Sequence, residues 1–166
     1  IKDEFTILKK KEIQREVLSV HNLIEHKEIM LEKALNEKIK ERVYQAHNIA
    51  ISIYNQNKDE KTSDEIKFLI ANELKNLKYE NDKTYFFINS NKGQAVLFNK
   101  SIELANNKDV WNLQDENGQL IIQNQAKIAL EKKEGFLINN FVKPDSIDKK
   151  LYSKISFIKL FEPYNW

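Results

Sequence analysis

The sequence predicts an α+β fold in which a long N-terminal helix leads into an antiparallel β-sheet with flanking helices. Three observations point there. All three glycines (Gly93, Gly118, Gly135) and both prolines (Pro144, Pro163) lie beyond residue 92, so the first half carries none of the strongest helix breakers. Apolar residues in that half recur at helical spacing, whereas the second half holds short aromatic and β-branched runs separated by turn signals.

The first element follows from Ile13, Val17, Val20, Ile24, Leu31 and Leu35, continued after a small phase shift by Ile39, Val43, Ala46, Ala50 and Ile53. They predict one helix from about residue 6 to about residue 55. At ~1.5 Å per residue it would be ~75 Å long, against a radius of gyration of ~15 Å for a compact chain of this length. Such a helix projects, and its apolar stripe calls for a second copy or another segment to cover it. A bend or break near His26–Met30 is the competing arrangement. Polar residues 55–59 end the helix, and Thr62 with Glu65 has capping-box spacing for a second one over about 63–77, with Ile66, Leu69, Ile70 and Leu74 on one face.

From Tyr79 the pattern changes. Thr84-Tyr85-Phe86-Phe87-Ile88, then Ser90-Asn91-Lys92-Gly93, then Ala95-Val96-Leu97-Phe98 reads as a β-hairpin. Residues 100–118 read as polar and irregular, closing on the turn Asp115-Glu116-Asn117-Gly118. Helical spacing returns over about 119–132, and strands are expected over about 135–143 and 151–161, flanking the turn-rich Pro144-Asp145-Ser146-Ile147-Asp148. The domain division expected is 1–57 for the long helix, with dimerisation through its apolar stripe, and 58–166 for the globular module.

Composition removes several function classes. Charged residues make up 31% and hydrophobic ones 41%, enough apolar material for a core. Basic residues number 27 against 25 acidic, with eleven of each in residues 1–60, so no basic stripe exists to neutralise nucleic-acid phosphates. The absence of Cys excludes disulfides, thiolate catalysis and Cys-ligated zinc. No apolar run approaches the ~18–20 residues of a membrane-spanning helix, and Ile1 begins in charged sequence without a signal-peptide pattern, so a membrane anchor is expected outside these residues.

No set of residues carries catalytic chemistry at interpretable spacing, and neither an enzyme nor a cofactor is expected. His21 and His26 stand about 140° apart around a helix, not on one face, so no metal site is expected. Carboxylates at Glu12, Glu16, Glu28, Glu32 and Glu37 alternate with lysines as on a solvated face. Trp111 with Asp115, and Tyr164 with Trp166, read as packing edges more readily than as an aromatic box. Within the strands Tyr85 and Phe87 share a face, as do Lys154 and Ser156, while Phe157 takes the opposite one. A lysine in an apolar strand beside a tyrosine hydroxyl suits a small anion; an edge strand bearing an outward lysine fits equally well.

Glu41-Arg42-Val43-Tyr44-Gln45-Ala46, Ile49-Ala50-x-x-Ile53-Tyr54, Tyr85-Phe86-Phe87-Ile88, Trp111-x-x-x-Asp115-x-x-Gly118, Gly135-Phe136 and the run from Lys154 to Trp166 follow one another in a distinctive order and spacing. By these pieces the chain from Glu41 to Trp166 resembles the Cache family, of the Cache_2 type. The resemblance implies a PAS-like antiparallel sheet carried on the long helix. It also implies an extracytoplasmic, periplasmic sensor of a membrane-bound bacterial receptor, such as a chemoreceptor, histidine kinase or diguanylate cyclase. Flanking segments absent from this chain would provide the membrane attachment, and a homodimer would form through the helix. The implied ligand is a small molecule, a short carboxylate above all. Tyr85 and Phe87 match the aromatic strand of the pocket and Lys154, Ser156 and Phe157 the strand facing it, with Lys154 as carboxylate partner. Phe98, Asn99, Asn139 and Phe141 complete the expected lining. Phe98-Asn99 stands where a His-Pro pair is usual, Asn139-Asn140 where aromatics are usual and Thr84 where Gly is usual, which widens the ligand class to amides, amines or hydroxylated acids through Asn99 and Asn139. The resemblance implies one further strand beyond Trp166, so an unpartnered strand edge is expected. The alternative is a structural or dimerisation domain whose pocket is filled by its own side chains, with Phe98 as the plug.

Overall fold

Residues Lys2–Asn57 form one uninterrupted helix, α1, as a stretch without Gly or Pro allows, and no break occurs near His26–Met30. The computed structural model describes residues 2–77, 84–98, 102–106, 108–142 and 150–166. Two compact units divide the chain, Ile1–Lys38 and Ile39–Trp166. The first is helix alone, with Ile13, Val17, Val20, Ile24, Leu31 and Leu35 exposed. The second contains the last part of α1 and all the remaining elements.

In that second unit α1 buries Ala46 and Ala50, four residues apart on one face, where small side chains let the helix approach closely. The helix closes with the Asn57 amide donating to the Ile53 carbonyl at 2.8 Å, which satisfies one of its terminal acceptors. Helix α2, Ser63–Asn76, starts at the expected capping box: Glu65 N–H donates to Thr62 Oγ1 at 3.3 Å and Thr62 N–H to Glu65 Oε2 at 2.8 Å. It buries Ile66, Ile70, Ala71 and Leu74, while Leu69 points outward at 37% exposure, so the docked face is one position narrower than its apolar residues suggest.

Strands β1 (Ile88–Asn89) and β2 (Ala95–Leu97) pair antiparallel with a bulge between Ile88 and Asn89. The hairpin is shorter than predicted because Thr84–Phe87 takes part in no described ladder. Its turn depends on Gly93 at φ +86°, where a Cβ would stand 2.7 Å from Trp111 Cβ. Within the stretch read as irregular, Ile102–Ala105 forms a short helix, α3, and Ala105 is fully buried; four residues are too few to show a helical period. Helix α4, Ile121–Lys132, ends at Lys133 in the left-handed conformation, φ 68°. It feeds β3 (Glu134–Val142), which pairs with β4 (Leu151–Lys159) over nine residues without a slip.

The fold is thus α+β with a long N-terminal helix, small antiparallel sheets and flanking helices. Among the described residues the strands pair as two two-stranded antiparallel sheets, β1-β2 and β3-β4. Among the described residues no strand pairs with the far edge of β1 or of β4. Alternate residues of β4 meet different helices: Phe157 stacks on Tyr44 of α1, whereas Ile158 packs with Ala129 of α4. After β4 the chain folds back, Phe161 and Trp166 exchanging backbone hydrogen bonds of 2.7 and 3.1 Å, and Asn91 N–H donates to the Asn165 carbonyl at 2.9 Å.

Candidate functional site

A cavity of about 220 Å³ lies between the segment Thr84–Asn91 and β4. Successive residues of a strand point to opposite faces, yet every residue from Lys154 to Lys159 and from Thr84 to Asn91 lines this space. The cavity therefore abuts strand edges as well as side chains. Apolar wall is added by α1 through Val43, Ala46 and Ala50, by α2 through Ile70 and Leu74, and by α4 through Ile122, Ala126 and Ala129.

Arg42, Lys154 and Lys159 bring positive charge to this apolar background, and no Asp or Glu stands among its described lining residues. Lys159 is matched from behind by Glu134 at 2.8 Å. The Arg42 guanidinium donates to Thr84 Oγ1 at 3.1 Å. The Lys154 ammonium contacts the Tyr85 hydroxyl and lies 4.2 Å from the centre of its ring and 5.9 Å from that of Phe141. A cation over an aromatic face is a stabilised one, but neither ring supplies a counter-charge. Asn89 and Gln125 add a neutral amide pair at 3.1 Å. His47 donates its Nε2–H to the Leu160 carbonyl at 3.0 Å, and burial pushes its imidazole below the usual histidine range.

Of the residues expected from sequence, Tyr85, Phe87, Lys154, Ser156 and Phe157 line the cavity. Phe98 and Phe141 pack instead against a second apolar cluster of Ala95, Ala105, Val110, Ile121 and Ile122, and the Lys108 ammonium sits 5.9 Å from the Phe98 ring. Asn139 is buried opposite Lys154 in the ladder and does not line the cavity. Asn99 lies outside the described residues. Sequence reasoning missed Arg42, His47 and Lys159. Arg42 had a readable signal, since it precedes Ala46 and Ala50 by four and eight residues and so shares their inward stripe.

The features weighed as aromatic boxes pack internally. Trp111 closes over Gly93, and Tyr164 and Trp166 join Phe161 and Tyr54 in an aromatic cluster. Asp115 is a loop anchor: its carboxylate accepts backbone hydrogen bonds from Asn117 and Gln119 at 2.9 Å and from Asn140 at 3.0 Å. These bonds, the one from Asn140 foremost, hold it below the usual carboxylate range. Among the described residues no group of three or more His, Asp or Glu could hold a metal ion, and no helix is long and apolar enough to cross a membrane.

Comparison with known proteins places these features in a family. A family model described as Cache domain matches residues 1–166. A solved structure of a periplasmic sensor domain of a chemotaxis protein shares 25% identity and a TM-score of 0.67, covering 78% of this chain and 88% of that one. A Cache chemosensory domain described for its recognition of carboxylic acids shares the fold at 22% identity and TM-score 0.70, covering 82% and 90%. A methyl-accepting chemotaxis protein from Vibrio parahaemolyticus does so at 20% identity and TM-score 0.62, covering 82% and 86%.

Proposed function

The chain belongs to the Cache domain family, and from that premise we propose that it is the ligand-sensing part of a bacterial membrane receptor, held on the extracytoplasmic side, binding a small carboxylate in the cavity beside β4. The observation that carries this reading is Lys154 in the cavity wall: its ammonium contacts the Tyr85 hydroxyl in an apolar surround, and no Asp or Glu stands among the described lining residues. Desolvating Lys154 beside Tyr85 is costly without a paired anion, so an entering carboxylate would supply what the wall lacks. A volume near 220 Å³ suits a compact molecule, given that a ~150 Å³ cavity accepts benzene. Tyr85, Phe87, Ser156 and Phe157 would provide the surrounding contacts, and Asn89 with Gln125 would admit an amide or amine group on the same ligand.

Phe98 packs away from the cavity and leaves it unplugged, which favours sensing over a self-filled structural module. The exposed stripe from Ile13 to Leu35 suits pairing with a second copy, so that the helix of residues 1–57 would serve both dimerisation and transmission for a module of residues 58–166. Ligand binding would act by linkage, shifting the receptor by no more than its differential affinity for two helix arrangements.

A thermal-shift screen of short carboxylates, amino acids, amides and amines tests the reading. A ligand at 100 times its dissociation constant adds ~2.7 kcal/mol to stability. Lys154→Gln should weaken binding of a carboxylate at least about tenfold, or ~1.4 kcal/mol, and Tyr85→Phe less. If no compound in the panel raises the melting temperature of the wild-type protein, the sensing reading fails.

A further inference from the structure

On the face of β4 that meets α1, one carboxylate is shared by a helix and a hairpin. Tyr44 of α1 donates its hydroxyl to both Glu134 oxygens, at 2.6 and 2.7 Å, and the Lys159 ammonium donates to the same group at 2.8 Å. Glu134 and Lys159 stand opposite each other in the β3-β4 ladder, so strand pairing holds them together. Lys159 also lies 4.4 Å from the centre of the Tyr44 ring, and Phe157 stacks on that ring at 6.2 Å and 25°. Lys40, one turn earlier on α1, approaches Glu134 at 4.0 Å.

We propose that this Tyr44–Glu134–Lys159 cluster is the joint through which occupancy of the cavity acts on α1, with Tyr44 as its positioning residue; the proposal rests on the ligand-binding reading of the cavity. Lys159 and Phe157 both line the cavity and both touch Tyr44, so each presents one surface to the ligand space and another to the helix. An anion in the cavity competes with Glu134 for the Lys159 ammonium. Because Tyr44 shares that carboxylate, a shift of Lys159 changes the hydrogen bond that fixes the helix. The apolar contacts of Ala46 and Ala50 are non-directional and tolerate a small slide, whereas the Tyr44 bond and the His47 contact with the Leu160 carbonyl, one turn later, set a register. The cluster thereby gives the helix two arrangements to choose between, the element that linkage requires.

The test uses the full chain, with acetate, pyruvate and succinate as probes and backbone hydrogen exchange over residues 44–50 as the readout. A bound probe should change exchange there at least about threefold in the wild-type protein. Tyr44→Phe, which keeps the ring stacked on Phe157, should hold the dissociation constant within about threefold while abolishing that change; should that variant fold poorly, Glu134→Gln, which removes the competitor for Lys159, should likewise abolish the change with binding no weaker than in the wild type. A probe that binds the wild type without altering exchange, or a variant that keeps the full response, overturns the proposal. If none of the probes binds, the sensing reading loses its carboxylate ligand and the joint is judged without one. Lys154→Gln, which changes the charge of the cavity wall, should then alter exchange over 44–50 in the wild-type background but not beside Tyr44→Phe. Equal responses in the two backgrounds overturn it.

Discussion

Asp115 accepts two backbone hydrogen bonds within the loop preceding α4 and one from Asn140 of β3, and its protonation should be visible in stability. Its folded pKa is depressed, so the stability it contributes is complete above the unfolded carboxylate value near ~3.9 and is lost as pH falls through the lower folded value. Asp115→Asn should therefore lower the melting temperature at pH near ~7, with the gap to wild type closing below pH ~4. A gap that stays constant from pH ~7 to pH ~3 would show that the charge contributes nothing. His47 titrates in a different window. Burial lowers its folded pKa, so the unfolded state binds the proton more readily, and stability falls as pH drops from about 6.5 through the lower folded value. Melting curves of His47→Gln should lack that component. Neither role was legible in the sequence in full. The spacing of Asp115 to Gly118 marks a turn, but the bond to Asn140 joins residues 25 apart and only the folded chain brings them together.

At the scale of elements, legibility tracks how local the determinants are. Helices α1 and α2 follow from side chains within a turn or two of one another, and the Thr62–Glu65 box fixes the start of α2 where spacing placed it. Thr62→Ala should cost about 1 kcal/mol, measured by urea denaturation, because it strips the cap from an exposed helix start. The run Thr84–Phe87 has strong β propensity and still forms no described ladder, since a strand is defined by its partner and not by its own residues. The resemblance sets Tyr85 and Lys154 on facing strands, and the two are in contact, whereas Phe98 and Phe141, equally aromatic, pack on the second cluster. Which face a side chain takes depends on register, and in the hairpin that leads to Phe98 the bulge at Ile88/Asn89 shifts a register that cannot be counted from the sequence, whereas Phe141 lies in a ladder without a slip. The short hairpin is nonetheless central to packing. Leu97 is fully buried in the cluster that joins α1, α2 and Phe161, and Leu97→Ala should cost about 2–5 kcal/mol in the same assay.

For the whole molecule, the helix α1 belongs to both compact units, and that sharing predicts how fragments behave. The largest core cluster includes Ala46 and Ala50 from α1, with Ile49, Ile53 and Tyr54 packed beside it. A fragment of residues 39–166 retains these contacts together with the Tyr44–Glu134 bond, and should unfold in one cooperative transition within about 5 °C of the full chain. A fragment of residues 58–166 lacks them, leaves Ile66, Ile70, Leu74 and Phe161 without their covering helix, and should bind a hydrophobic dye without a cooperative transition. Association separates the same fragments along another axis. If the exposed residues from Ile13 to Leu35 pair with a second copy, sedimentation should find the full chain dimeric at concentrations where residues 39–166 sediment as a monomer. A full chain that remains monomeric up to the highest soluble concentration would remove the helix from dimerisation while leaving the sensing module intact, because the cavity and its cations all lie at or beyond Ile39.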